Sequence, residues 1–72
     1  MKYLVIIEKG PENFSAYVPD LPGCTSAGRT YEETMANIRE AIEGHLEVMR
    51  EHGDPIPEPA SEAAVVDVEA VA

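Results

Sequence analysis

The first eight residues carry an almost unbroken apolar run, Tyr3-Leu4-Val5-Ile6-Ile7, in the β-branched and aromatic types that suit a strand. Lys9-Gly10-Pro11-Glu12-Asn13 then supplies turn chemistry, since glycine tolerates unusual dihedrals and proline presets one. Phe14 to Val18 alternates large apolar residues with smaller or amphipathic ones, which predicts a second strand and a hairpin. Asp20-Leu21-Pro22-Gly23 is a further turn signal: Pro22 and Gly23 suit the central positions of a type II turn, the second of which needs a positive φ. Cys24 to Ala27 follows as a short third strand ended by Gly28. Residues 1–28 thus read as three antiparallel strands.

The period then changes. Thr30-Tyr31-Glu32-Glu33 is a capping box, with the Thr30 hydroxyl placed to accept from the Glu33 amide and the Glu33 carboxylate reaching back to Thr30. Behind it Tyr31, Met35, Ile38, Ile42, His45 or Leu46, and Met49 recur at helical spacing, and charged residues fill much of the remaining surface. One amphipathic helix over 30–52, stopped by Gly53, is the expectation. Prolines at 55, 57 and 59 make 53–60 an extended linker. Ala64-Val65-Val66-Asp67-Val68 suggests a last strand over 64–69, laid parallel to an earlier one by a right-handed crossover. The predicted architecture is a single α+β domain over 1–72, in the order β-β-β-α-β.

That pattern raises a covering problem. If Tyr3, Val5 and Ile7 face the helix, Leu4 and Ile6 project from the opposite face, because strand side chains alternate. One helix covers one face. Leu4, Ile6 and Tyr17 are therefore expected to form an apolar patch that a second copy covers, in a dimer or tetramer. Size points the same way, since a chain of 72 residues buries only about 60% of its unfolded surface and small domains usually need a staple or a partner. The lone cysteine makes no internal disulfide, and no Cys/His cluster suggests zinc.

Composition changes the picture at one point. With 44% hydrophobic residues the chain belongs with globular domains. Fourteen Asp and Glu against five Lys and Arg give a net charge of −9, which repels nucleic acid and anionic membranes and draws basic proteins. No apolar run is long enough to span a bilayer, and none resembles a signal peptide, so a cytoplasmic location is expected.

Candidate chemistry is sparse. Cys24 with His45 or His52 is a conceivable nucleophile and base, but a buried inert thiol fits the turn better. His52, in the last helical turn, complements the helix dipole. Glu8, Glu40, Glu43 and Asp67 are the carboxylates that a metal-dependent nuclease would use, although fourteen acids in so short a chain guarantee such combinations. Phosphate-binding glycine loops and zinc-protease motifs are missing. The residues themselves predict no enzyme, no cofactor and no metal.

The run Val18-Pro19-Asp20-Leu21-Pro22-Gly23-Cys24-Thr25-Ser26-Ala27-Gly28, then Thr30-Tyr31-Glu32-Glu33 and Asn37-Ile38-Arg39-Glu40-Ala41-Ile42, closely resembles the HicB-like antitoxin family. That family pairs a Pro-Asp-Leu-Pro-Gly-Cys turn with a Gly-x-Thr approach to the helix and a Glu-Ala-Ile within it; Gly53-Asp54-Pro55-Ile56-Pro57 resembles its exit. Thr34-Met35 departs from the usual alanine after the glutamate pair. Many members continue into a DNA-binding segment, and this chain is expected to be a short member without one. The resemblance implies a partial RNase H-like fold without nuclease activity, and a partner in a small basic HicA-like toxin that cleaves messenger RNA. Pro22, Gly23, Cys24, Gly28, Thr30 and Glu33 read as fold elements within it. Glu8 and Asp20, near one end of the sheet, are the candidate toxin contacts. An orphan oligomer of the same fold, or a residual metal nuclease, would be the alternatives.

Overall fold

A computed structural model describes residues 1–70. Its elements are β1 (Ile6–Lys9), β2 (Phe14–Tyr17), β3 (Thr25–Gly28) and α1 (Tyr31–Glu51), in an antiparallel sheet of order β1-β2-β3. The central strand β2 sets both registers. Ile6 and Thr25 flank Tyr17, and Lys9 and Gly28 flank Phe14.

β1 is shorter than the apolar run that predicts it, for want of a partner. Beyond Tyr17 the chain folds into two successive turns: the Leu21 amide donates to the Val18 carbonyl (3.1 Å) and the Cys24 amide to the Leu21 carbonyl (3.0 Å). A third bond, from the Val18 amide to the Cys24 carbonyl (3.1 Å), closes the loop. Gly23 has φ 83°, as the type II geometry over Pro22-Gly23 requires. Leu21, carried on this loop, is wholly buried, and nothing of β2 remains beside Met1 to Val5.

The start of α1 is fixed by three side chains. Thr30 is the N-cap, its hydroxyl accepting from the Glu33 amide at 3.0 Å. The Glu33 carboxylate reaches back one residue further than the capping box predicts, to the Arg29 amide at 3.2 Å. Thr34 donates its hydroxyl to the Thr30 carbonyl at 2.8 Å and is fully buried, whereas Met35 is 37% exposed. The inward stripe therefore runs from Thr34 through Ile38, Ala41, Ile42 and Leu46.

Thr34 is buried because the helix meets the sheet there backbone to backbone. A Cβ on Gly28 would lie 2.7 Å from Thr34 Oγ1 and 2.8 Å from its amide nitrogen. Asn37 adds a bond from its Nδ2 to the Ala27 carbonyl at 2.8 Å, tying the next turn to β3. So seated, α1 packs on β3 and β2. The core comprises Ala16, Val18, Leu21, Cys24 and Ile38, with Tyr3, Val5 and Ile7 packed against it from the β1 side as the alternation predicts. Leu21 and Ile38 contribute about 1.5–3 kcal/mol each by burial.

At its far end α1 closes on a Schellman motif. Gly53, at φ 71°, donates to Arg50 (3.1 Å) and Asp54 donates to Met49 (2.9 Å). The chain then crosses the end of the sheet as an extended tail. Tyr3 donates its hydroxyl to the Pro57 carbonyl. Asp20 then holds the tail with both oxygens: Oδ2 accepts from the Ala60 and Ser61 amides, each at 2.9 Å, and Oδ1 from the Ser61 hydroxyl at 2.8 Å. The final strand expected over 64–69 does not form. Fixed by Asp20 at the turn that follows β2, the chain passes the edge of the sheet instead of running along it, leaving Val65, Val66 and Val68 99%, 75% and 73% exposed.

Three outcomes follow from this packing. Gly28→Ala pushes the helix off β3 and lowers stability by about 1–3 kcal/mol, read from thermal melts. The tail clasp is acid-labile. Hydrogen bonds from the Ser61 amide, the Ala60 amide and the Ser61 hydroxyl hold the Asp20 carboxyl below its ordinary 3.8, against a small opposing effect of desolvation. A carboxylate with a lowered folded-state pKa stabilises the clasp in full above the unfolded value, and that contribution disappears as pH falls below 3.8 through the folded one. Asp20→Asn should speed amide exchange at Ala60 and Ser61 about tenfold at neutral pH, the scale expected for loss of a charge-assisted bond.

Candidate functional site

The surface left open by the helix is the outer face of the sheet. Alternation places Ile6, Tyr17 and Thr25 in one row across the three strands, and Glu8, Ser15 and Ala27 in the next. Leu4 continues the same parity before β1. Tyr17 is 42% exposed, Leu4 and Ile6 are half-buried, and Glu8 is exposed at the rim. An apolar centre thus lies beside a single acidic rim residue, Glu8.

The two candidate toxin contacts have different surroundings. Glu8 stands free on the outer face, while Asp20 is half-buried with both oxygens engaged by the tail. Asp20 therefore acts on the molecule's own chain, which position in the sequence could not show: the link spans forty-one residues to Ser61. Sequence reasoning also passed over Thr34 and Asn37. Thr34 could have been found from its spacing, four residues before Ile38 on the buried stripe.

The remaining motif residues are structural. Pro22 and Gly23 make the turn, Gly28 admits the helix, and Thr30 and Glu33 cap it. Cys24 is buried in the core, and burial pushes its thiol pKa up, away from the thiolate a nucleophile needs. It lines a shallow depression with His45, on the side of the helix facing Gly23 and Thr25. Glu8, Glu40, Glu43 and Asp67 do not gather: among the described residues no three Asp, Glu, His or Cys side chains are grouped to hold a metal ion. No helix among them is long and apolar enough to cross a membrane.

On the helix side of the sheet, β1 and α1 stand apart. A groove of about 640 Å³ opens between α1 and the residues that lead into β1, floored by Tyr3, Val5, Ile38, Ile42 and Leu46, with Arg39, Glu43 and Arg50 also lining it. It exists because α1 is seated on β3 and β2, a strand's width away from the edge.

Known proteins resemble this chain in sequence, and one of them in fold. A UPF0150 protein of Thermoplasma acidophilum is 40% identical over 67 residues, 92% of this chain and 97% of its own. A 14.9 kDa protein from the rep–hol region of Haemophilus phage HP1 is 46% identical over 57 residues, 79% of this chain and 43% of the phage protein. Among solved structures, a chain of the HicA3 and HicB3 toxin–antitoxin complex superposes with a TM-score of 0.71 at 37% identity, covering 83% of this chain and 70% of that one. The family model for the HicB-like antitoxin of bacterial toxin–antitoxin systems matches residues 3–71, so the chain belongs to the HicB-like antitoxin family.

Proposed function

We propose that this chain is a non-catalytic protein-binding module that neutralises a small basic HicA-like toxin, one that cleaves messenger RNA. The observation that carries the reading is the likeness to a chain of the HicA3 and HicB3 complex, at 37% identity and over 83% of this chain. The charge supports it. A ribonuclease needs a basic surface to hold RNA, and a domain of net charge −9 complements such a surface, speeds encounter with it and covers the active site. Glu8 on the outer face is one contact, and Asp20 contributes through the tail it holds.

The module acts as a homo-oligomer, a dimer or tetramer, in the cytoplasm. Leu4, Ile6 and Tyr17 supply an apolar centre for one contact between copies, and neither operator DNA nor membrane is bound by this domain directly.

Co-expression with the basic protein encoded beside it tests the antitoxin role. The expected outcome is a stable complex and rescued growth; growth arrest without a complex would end the reading. For the outer face, Ile6→Glu should raise the dissociation constant of the oligomer about a hundredfold, the scale of an unpaired carboxylate in an apolar contact. Light scattering reads the size and circular dichroism the retained fold. An unchanged oligomer of full stability would remove Ile6 from any interface.

A further inference from the structure

We propose that residues 62–69 form an exchange arm, which adds as an antiparallel fourth strand to the open edge of β1 in a second copy of this chain. The inference is independent of any toxin. It starts from an unsatisfied pair: a β-prone apolar segment in water, and beside the helix a sheet edge with an apolar groove.

Charge gives the register. Glu62 and Glu69 bracket the arm, and Lys2 and Lys9, two of only five cations, bracket the apolar run that leads into β1 and most of β1 itself, at the same interval of seven residues. Matching acid to base in antiparallel sense sets Glu62 beside Lys9 and Glu69 beside Lys2. Every other position then follows. Ala64, Val66 and Val68 fall beside Ile7, Val5 and Tyr3, all on the groove face, while Asp67 falls beside Leu4 on the outer face. A parallel match, with Glu62 beside Lys2 and Glu69 beside Lys9, would turn Ala64, Val66 and Val68 outwards and leave the groove open. Charge and hydrophobicity agree on one alignment.

The molecule's own arm cannot take that place. Asp20 holds Ser61 just past Tyr17, at the Ile6 end of β1, whereas the alignment requires Glu62 beside Lys9 at the other end. Those ends are about 10 Å apart along the strand, and one residue spans under about 4 Å. The strand must come from another copy. The surface available fits an exchange of this size: the chain exposes 5775 Å², against about 4,400 Å² for a compact chain of its mass. Its radius of gyration of 14.6 Å exceeds the roughly 11 Å of a compact 72-residue domain. A standard interface takes about 800 Å² from each partner, and two reciprocal arms supply it.

Two charge variants of the full chain test this. Lys2→Glu/Lys9→Glu makes the edge repel the arm, and Glu62→Lys/Glu69→Lys makes the arm repel the edge, so each alone should lose exchange. Mixed, they restore both pairings, and native mass spectrometry should show the heterodimer with no more than traces of either homodimer. In the wild type the amides of 63–68 should exchange on the order of a hundredfold more slowly than in either variant, with protection rising with protein concentration. Protection independent of concentration would mean pairing within one chain and overturn the proposal. So would unprotected amides at every concentration, protection appearing only with the toxin, or homodimers that survive both charge reversals. Growth rescue by the two variants is read separately, so loss of the antitoxin role and loss of exchange are told apart.

Discussion

The structure turns on the contact between Gly28 and Thr34, where a strand end and a helix start approach too closely for any side chain on the strand. That contact seats α1 over β3, the Asn37 bond to Ala27 holds it there, and Ile38 follows into the core. A helix is about 10 Å across and neighbouring strands lie about 4.8 Å apart, so one helix so placed covers two strands and not three. The open β1 side, the groove, and the apolar residues left half-covered are all consequences of that seat.

The position of the tail depends on a different kind of bond. Asp20 lies in a loop closed by backbone hydrogen bonds, so its carboxylate is presented on a fixed frame to chain arriving from the helix end. Tyr3 makes a second contact at Pro57. Together they convert a proline-rich stretch without secondary structure of its own into a defined path across the sheet end.

Much of this was legible in the sequence because the signals are local. The three strands, the type II turn over Pro22-Gly23, the Thr30 cap and the Gly53 stop each depend on residues within four positions of one another, and each has a steric or hydrogen-bonding cause that context rarely overrides. The family resemblance rests on the same local motifs. What escaped were long-range facts. Alternation assigned Tyr3, Val5 and Ile7 to the core side correctly, but it could not reveal that Asp20 would bind Ser61 and so carry Ala64-Val65-Val66-Asp67-Val68 past the edge where a final strand was expected. The helical stripe read from the sequence takes Met35 and omits Thr34 for a related reason: hydropathy ranks a threonine below a methionine, while the space beside Gly28 admits only a short side chain whose hydroxyl finds the Thr30 carbonyl.

The alternating prolines have an energetic consequence. Pro55, Pro57 and Pro59 each lack an N–H and each fix one backbone dihedral, so the stretch between helix and clasp has few conformations to lose even in the denatured chain. It cannot donate a regular ladder of bonds, and a stray strand gains little by stacking on it. The stretch that delivers the sticky valine segment to the clasp is thus itself a poor template for fibrils.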